Sequence, residues 1–210
     1  MHKILEGKNL HKNYKYKNKK KKKIPNKAGL GGGSMNAANI LNYLVKKKFL
    51  KITKKEVLDI SKLVGSDVFL GLNSTNSILN STDKIKCFTH YKKIYTLIVK
   101  PKLGFSTKKI YSKITKFDKP KLNKPTKNMF NLNYLKKMKN SLEPIAFDMY
   151  SPLKKTKFFL ENSSQAEFVR MTGSGSALVA YFYSKGKCDN AKKQFNKKYK
   201  NYWCISSKTI

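Results

Sequence analysis

The chain has 210 residues, and its hydrophobic fraction of 40% with 12% aromatics supports a packed core and excludes a disordered chain. Its formal net charge of +36 comes almost entirely from lysines spread from end to end, with Arg170 the only arginine, which argues against a localised nucleic-acid-reading face. The absence of a run of ~18 apolar residues or of a signal-peptide core excludes a transmembrane helix and predicts a soluble cytoplasmic protein.

Cysteine and histidine positions indicate no metal or disulfide framework. Cys87, Cys188 and Cys204 are widely spaced, form no CxxC pair and are odd in number, so we interpret them as structural thiols in a reducing compartment. His90 has no partner at metal-ligand spacing and is expected at the surface. We therefore predict no protein-held metal cluster.

The first 23 residues carry a strong lysine bias. Residues 4–10 are compatible with a short helix, and the alternation at Tyr14 and Tyr16 allows a weak strand. Lys19 to Lys23 form a charge run that is typical of a solvated segment.

A glycine-rich loop follows at residues 24–38, which read IPNKAGLGGGSMNAA. Ser34 is a good helix N-cap, and a helix-compatible run comes directly after it. A flexible loop that feeds a helix N-terminus offers free N–H groups and a positive dipole end to phosphate. The loop matches neither the Walker pattern nor the Rossmann fingerprint, so a glycine turn without a ligand stays open.

Two helices are predicted next. Apolar residues at helical spacing predict a helix over 34–50 with one buried face. The second helix begins at Thr53, since Glu56 three residues later completes a capping box, and Gly65 ends it. Both apolar stripes are expected in the core.

Asp67 follows in the segment Gly65-Ser66-Asp67-Val68, and such an aspartate is typical of a turn or a cap. Beyond it, short apolar or alternating runs separated by Asn/Ser/Thr turns predict strands. These runs lie at 69–72, 77–79, 84–88 and 95–99.

Ser106 or Thr107 is a natural N-cap for a short helix over 108–114. Residues 115–133 are rich in Lys, Pro and Asn and predict a loop. Residues 152–160 and 165–168 are moderately helical, and Glu143 is expected as a helix-start or packing residue.

A second loop of glycines and hydroxyl residues occupies 171–177, before an apolar run at 178–183. Alone, this pattern is typical of a tight hairpin turn. A basic helix over 188–200 and a short strand over 202–205 complete the predicted elements.

The extended string PxxxGLGGGSxNAA at 25–38 resembles the phosphate loop of the GHMP small-molecule kinases, in particular the branch that phosphorylates 4-diphosphocytidyl-2-C-methyl-D-erythritol in non-mevalonate isoprenoid synthesis. The segments GSDV at 65–68, FST at 105–107, NSLE at 140–143 and TGSGS at 172–176 are similar to other elements of that family. The resemblance covers residues 24–205 and thins over 115–140.

The resemblance implies an α/β (α+β) two-domain GHMP kinase fold with the active site between the domains. Residues 1–92 would form a partial ATP-binding domain, an incomplete version of the ribosomal-protein-S5-like domain. Residues 93–210 would form a ferredoxin-like C-terminal domain.

The resemblance also implies the site residues. ATP would be held by the first loop, whose residues are Pro25, Asn26, Lys27, Ala28, Gly29, Leu30, Gly31, Gly32, Gly33, Ser34 and Met35. Asp67 would be the catalytic base that accepts the substrate hydroxyl proton, and Mg²⁺ would bridge phosphate oxygens. The second loop would support the transferring phosphate and the substrate through Thr172, Gly173, Ser174, Gly175 and Ser176.

Two elements of the resembled family are not found in residues 1–23: the strand with a catalytic lysine and the GYH element that stacks cytosine. We therefore expect weak or no kinase activity from this chain alone. The open alternatives are a basic nucleic-acid-binding protein and an inactive kinase remnant. The kinase interpretation predicts a small-molecule substrate, a monomer or homodimer, and no membrane or specific nucleic-acid partner.

Overall fold

The computed structural model describes residues 23–209 except 74, 83, 90, 91, 103, 105 and 117. The helix and strand expected over 4–16, and His90, lie outside the described residues. In chain order, the elements are α1 (Gly32–Lys46), α2 (Lys54–Val64), α3 (Ser66–Leu70), β1 (Asn76–Leu79), β2 (Ile85–Phe88), β3 (Tyr95–Lys100), α4 (Thr107–Tyr111), α5 (Leu132–Lys137), α6 (Glu143–Met149), α7 (Ser151–Ser163), β4 (Phe168–Met171), β5 (Leu178–Phe182), α8 (Lys185–Lys198) and β6 (Trp203–Lys208).

The later part of the chain is built on a four-stranded antiparallel sheet in the order β4-β5-β3-β6. Strands β3 and β5 lie in the centre of the sheet, and β4 and β6 form its edges. Helices α4 to α7 connect the first two strands and α8 connects the last two, which gives the expected β-α-β-β-α-β ferredoxin-like arrangement.

Apolar side chains of α7 and α8 cover the sheet. Leu153, Leu160 and Phe195 are fully buried and belong to one cluster with Leu97 and Phe182 of the sheet. Burying a side chain of this size stabilises the fold by roughly 1.5–3 kcal/mol. The cluster makes the sheet a rigid support for the loops that connect its strands.

A second cluster joins α1 to α2 through Leu41, Leu44, Leu50 and Ile60. Leu41, Leu44 and Ile60 fall on the apolar faces that helical spacing predicts, whereas Leu50 lies after α1, which ends at Lys46 rather than at residue 50. Beyond α3, β1 and β2 form an antiparallel hairpin, which confirms the strands expected at 77–79 and 84–88.

The boundaries of α2 follow from its sequence. Thr53 accepts the Glu56 N–H at 3.2 Å, and the Glu56 carboxylate accepts the Thr53 N–H at 2.7 Å. Gly65 follows the last helical residue. The capping box and the glycine stop are therefore both confirmed.

Other local predictions are wrong. Helix α1 is capped by Gly31 and begins at Gly32, before Ser34, because Gly31 adopts the left-handed conformation with φ 61°. Residues 69–72 end the helix α3 rather than forming a strand. Residues 165–168 are not helical, because Gln165 has φ 52° and Phe168 starts β4. The stretch 115–133 is not wholly a loop, since a 3₁₀ turn at Lys127–Phe130 leads into α5.

Candidate functional site

The first glycine loop presents main-chain N–H groups at the start of a long helix. The first intrahelical bond runs from the Met35 N–H to the Gly31 carbonyl at 2.9 Å, so the amides of residues 32–34 have no intrahelical acceptor. A Cβ added to Gly31, Gly32 or Gly33 would meet nothing within 4 Å. This open, donor-rich helix start favours an anion.

A cavity of about 620 Å³ lies over this loop and is lined by residues 23–36 and Asn39. It therefore includes every one of the eleven residues expected to hold ATP. Lys23 and Lys27 in the lining are exposed and add positive charge. Shape, free amides and charge together suit a polyphosphate.

The second glycine loop joins β4 to β5 and contacts the first loop directly. The Ala28 carbonyl oxygen accepts hydrogen bonds from the Thr172 hydroxyl and the Ala177 N–H, both at 3.1 Å. The Lys27 carbonyl oxygen accepts the Ser176 N–H at 3.3 Å. The two loops, far apart in sequence, are therefore in direct contact, although residues 172–176 do not line the cavity itself.

Gly29 is the point of closest approach between the loops. It has φ 67°, and a Cβ built there would lie 2.3 Å from the Thr172 carbonyl oxygen and 2.9 Å from Gly175 backbone atoms. Only glycine fits both the backbone conformation and the space.

A third segment, before α4, lies against both loops. The Thr107 and Ser174 hydroxyl oxygens are 3.0 Å apart and share a hydrogen bond. The Lys27 side chain packs over Gly104, where an added Cβ would lie 3.3 Å from its carbons. Ser106 accepts the Lys109 N–H and caps α4, as one of the two expected caps.

Residues 140–143 support the second loop, a role that the sequence did not reveal. The Asn140 side chain donates to the carbonyl oxygens of Met171 and Gly173, each at 2.8 Å. The Glu143 carboxylate accepts the Met171 N–H at 2.7 Å and forms an ion pair with Lys157. Glu143 is therefore a packing residue at the start of α6, as expected.

Asp67 lies in the first turn of α3 with an exposed side chain. Helix α3 packs on the start of α1, since a Cβ at Gly71 would lie 2.7 Å from the Met35 Cε atom and 2.9 Å from the Ala38 Cβ atom. Val68 anchors α3 with a side chain that is 1% exposed. The carboxylate does not line the cavity of the first loop, but it belongs to the helix that adjoins that loop.

Lys100 is a buried cation at the end of β3, just before the third segment. Its ammonium group donates to the Pro101 carbonyl oxygen at 3.0 Å, and burial lowers the pKa of Lys100. Among the described residues, no group of three His, Cys, Asp or Glu side chains is arranged to hold a metal ion. No helix within those residues is long and apolar enough to cross a bilayer.

Known proteins resemble this chain along nearly its whole length. Residues 3–79 match the model of the GHMP kinases N terminal domain. The chain is 48% identical over 208 residues to the 4-diphosphocytidyl-2-C-methyl-D-erythritol kinase of Pelagibacter ubique, which covers 99% of this chain and 74% of that protein. The chain belongs to the 4-diphosphocytidyl-2-C-methyl-D-erythritol kinase family.

Kinases of the same name from two other bacteria support this membership. The protein from Petrotoga mobilis is 33% identical over 180 residues, covering 82% of this chain and 69% of that one. The protein from Clostridium tetani is 32% identical over 197 residues, covering 90% and 69%. The chain is accordingly an ATP-using phosphotransferase, and its similarity to the family extends before residue 24, where the sequence motifs first become recognisable.

Two solved structures share the fold. A crystal structure of 4-(cytidine 5′-diphospho)-2C-methyl-D-erythritol kinase superposes with a TM-score of 0.71 at 22% identity, covering 89% of this chain and 68% of that chain. Homoserine kinase from Cytophaga hutchinsonii gives a TM-score of 0.67 at 15% identity, covering 90% and 68%. The mixed helix-and-sheet architecture is therefore the two-domain GHMP kinase fold.

Proposed function

We propose that this chain transfers the γ-phosphoryl group of ATP to a hydroxyl of 4-diphosphocytidyl-2-C-methyl-D-erythritol, the compound that appears in the names of its relatives. The observation that carries the proposal is the direct contact between the two glycine loops at Ala28, Thr172 and Ala177. A nucleotide-binding loop alone would be compatible with many different functions. The joined pair adds a second backbone surface at which a transferring group can be held.

The first loop fits the polyphosphate of ATP. Its helix start offers amides without an intrahelical acceptor, a Cβ built on Gly31, Gly32 or Gly33 would meet no atom of the described residues within 4 Å, and Lys27 lines the cavity. We assign ATP binding to the loop that runs from Pro25 to Met35. The loop works through main-chain N–H groups, so its individual side chains contribute less than its glycines.

Asp67 is our candidate for the base. An exposed carboxylate in the first turn of a helix is compatible with accepting a proton from a substrate hydroxyl as that oxygen attacks phosphorus. The same side chain is a suitable oxygen ligand for Mg²⁺, which usually binds one or two carboxylates together with substrate phosphates. When bound, Mg²⁺ supplies charge neutralisation on the phosphate oxygens.

The second loop, Thr172 to Ser176, is our candidate for holding the transferring phosphate and the substrate. Its hydroxyl groups and amides lie against the first loop, and Ser174 also contacts Thr107. In a phosphoryl transfer, catalysis is mostly positioning and electrostatic stabilisation, which such donors provide.

We further propose that the domain boundary lies at residues 92/93, just before β3. The two clusters of buried residues support this division, since one involves α1 and α2 and the other the four-stranded sheet. A small-molecule substrate, a cytoplasmic location and a monomer or homodimer complete the proposal.

Nucleic-acid binding, the alternative suggested by charge, does not account for the packed glycine loops. Non-specific binding to lysines would give micromolar or weaker affinity at physiological salt and a steep loss with added salt. An inactive remnant would keep the fold without transferring phosphate. Each alternative therefore makes a prediction that differs from that of the kinase.

The deciding experiment mixes the purified chain with Mg²⁺, γ-labelled ATP and 4-diphosphocytidyl-2-C-methyl-D-erythritol. We expect slow label transfer to the acceptor, in keeping with the weak activity that residues 1–23 lead us to expect, together with calorimetric binding of a non-hydrolysable ATP analogue. Binding without label transfer would identify the remnant. Failure to bind the analogue, with salt-sensitive retention of RNA on a filter, would overturn the proposal in favour of the nucleic-acid alternative.

A further inference from the structure

The start of the second glycine loop is held by the amide group of Asn140. Its Nδ2 atom donates to the carbonyl oxygens of Met171 and Gly173, the two residues that flank Thr172. A side-chain amide has two N–H donors, and both are used here at 2.8 Å. The backbone on either side of Thr172 is thereby tied to one side chain.

The Asn140 side chain is itself held in orientation. Its Oδ1 atom accepts the Leu142 N–H at 3.0 Å, just before α6 begins. The neighbouring Glu143 carboxylate accepts the Met171 N–H, so both backbone groups of Met171 bind the 140–143 segment. Lys157 of α7 pairs with Glu143 and keeps that carboxylate in place.

A displacement of Thr172 would also displace the first loop. The Thr172 hydroxyl donates to the Ala28 carbonyl oxygen, and the Thr172 carbonyl oxygen accepts the Gly175 N–H at 2.8 Å. Gly29 packs against Thr172 and Gly175, and a Cβ built on Gly29 would clash with their backbone atoms. The position of Thr172 therefore links Asn140 to the first glycine loop, which lines the cavity.

We propose that Asn140 is a positioning residue that fixes the second glycine loop against the first glycine loop. The inference rests on the proposed kinase function. In this role Asn140 contacts neither ATP nor the acceptor and acts through Met171 and Gly173. Met171 is buried, so its carbonyl oxygen would lose its hydrogen bond without water to replace it, and the loss of both bonds is expected to displace the loop.

The test uses Asn140→Asp, which keeps an oxygen for the Leu142 N–H but turns a second oxygen toward two carbonyl oxygens. The matched control is Asn131→Asp, because Asn131 caps α5 by accepting the Asn133 N–H and carries the same change of charge. Asn140→Ser is a neutral second variant that retains one donor and should lie between wild type and Asn140→Asp.

Hydrogen–deuterium exchange of the ligand-free chain is the first readout. In Asn140→Asp, we expect at least tenfold faster exchange of two amides: that of Gly175, which bonds Thr172 within the second loop, and that of Ala177, which bonds Ala28 of the first loop. Exchange in β3 and β5 should stay unchanged, which separates loop release from general unfolding. Equal exchange of Gly175 and Ala177 in Asn140→Asp and wild type would overturn the proposal.

Steady-state kinetics is the second readout. Asn140→Asp should lower kcat roughly tenfold or more and raise the KM for ATP, with Asn140→Ser in between and Asn131→Asp like wild type. Equal loss in both aspartate variants would assign the effect to charge alone and overturn the proposal. If wild type neither binds nor turns over ATP, the proposed function fails, and the exchange data still decide the role of Asn140 in the loop.

Discussion

Gly29 and Thr172 meet backbone to backbone, so that a Cβ built on Gly29 would lie 2.3 Å from the Thr172 carbonyl oxygen. Gly29→Ala should therefore separate the two loops. Left-handed backbone costs a non-glycine residue about 1–2 kcal/mol before the clash is counted. We expect a lower melting temperature and at least tenfold weaker binding of an ATP analogue, measured by calorimetry.

The matched control for that change is Gly186→Ala in α8. An added Cβ meets no atom of the described residues there, and the change lies in the first turn of the helix, so the stability should stay within about 0.5 kcal/mol of wild type without a change in ATP affinity. Wild-type ATP affinity in Gly29→Ala would contradict the importance of the contact between the loops.

Asp67→Asn removes the candidate base while keeping the shape of the side chain. If Asp67 accepts the hydroxyl proton, label transfer from ATP should fall by roughly 10²–10⁴-fold while ATP affinity changes little. Single-turnover transfer and calorimetry measure the two quantities separately.

Asp59→Asn is the control for charge, because Asp59 is an exposed aspartate on α2. This variant should transfer phosphate at the wild-type rate. Undiminished transfer in Asp67→Asn would exclude Asp67 as the base, and the first loop would keep its role in binding.

Thr53→Ala tests the local stability of the helix that precedes Asp67. The variant loses the side-chain half of the capping box, since the hydroxyl no longer accepts the Glu56 N–H. We expect about 1 kcal/mol less unfolding free energy in urea, with an unchanged slope. Lys54→Ala, at the first helical position, should stay within about 0.5 kcal/mol of wild type. A loss in Thr53→Ala no larger than that would show that the cap contributes nothing.

The three thiols should differ in reactivity. Cys87 is exposed, whereas Cys188 is buried, and burial raises the pKa of Cys204 to about 11. Because the thiolate is the nucleophile, iodoacetamide at pH 8 should modify Cys87 first, as read by peptide mass spectrometry. Modification of Cys204 in the folded chain should rise with pH toward 11.

The same pKa has a consequence for stability. The folded pKa of Cys204 is higher than its unfolded value of 9.0, so its contribution to stability is present below pH 9 and is lost as the pH rises toward 11. Cys204→Ser should lose less stability than wild type between pH 8 and 10.5. An equal loss in urea titrations of both proteins would contradict the shift.

Local signals in the sequence predicted those parts of the fold that depend on neighbouring residues. The capping box of Thr53 and Glu56 and the stop at Gly65 need only adjacent residues, and both were found. The strand at 95–99 was recognisable because a buried central strand is a continuous apolar run. The assignment of ATP binding to the first loop came from its string of residues rather than from its glycines alone, and it remains a prediction.

Errors arose where distant partners decide the conformation. Phe168 pairs with Tyr181 in β4 and β5, and that pairing makes a strand of a segment with helical composition. Phe69 lies in a short apolar run whose length does not distinguish a strand from a helix. The role of Asn140 depends on contacts 31 and 33 residues away, which no local pattern reveals.

The hydrogen bond between Thr172 and Ala28 spans 144 residues of chain. Contacts of such high sequence separation close slowly and late, because the intervening chain must first be ordered. A ribosome that has made only the first loop therefore holds the whole lining of the cavity but not the loop that packs against it. The bonds that Thr172 and Ala177 donate to Ala28 begin to stabilise the first loop only when β4 and β5 have been synthesised and paired.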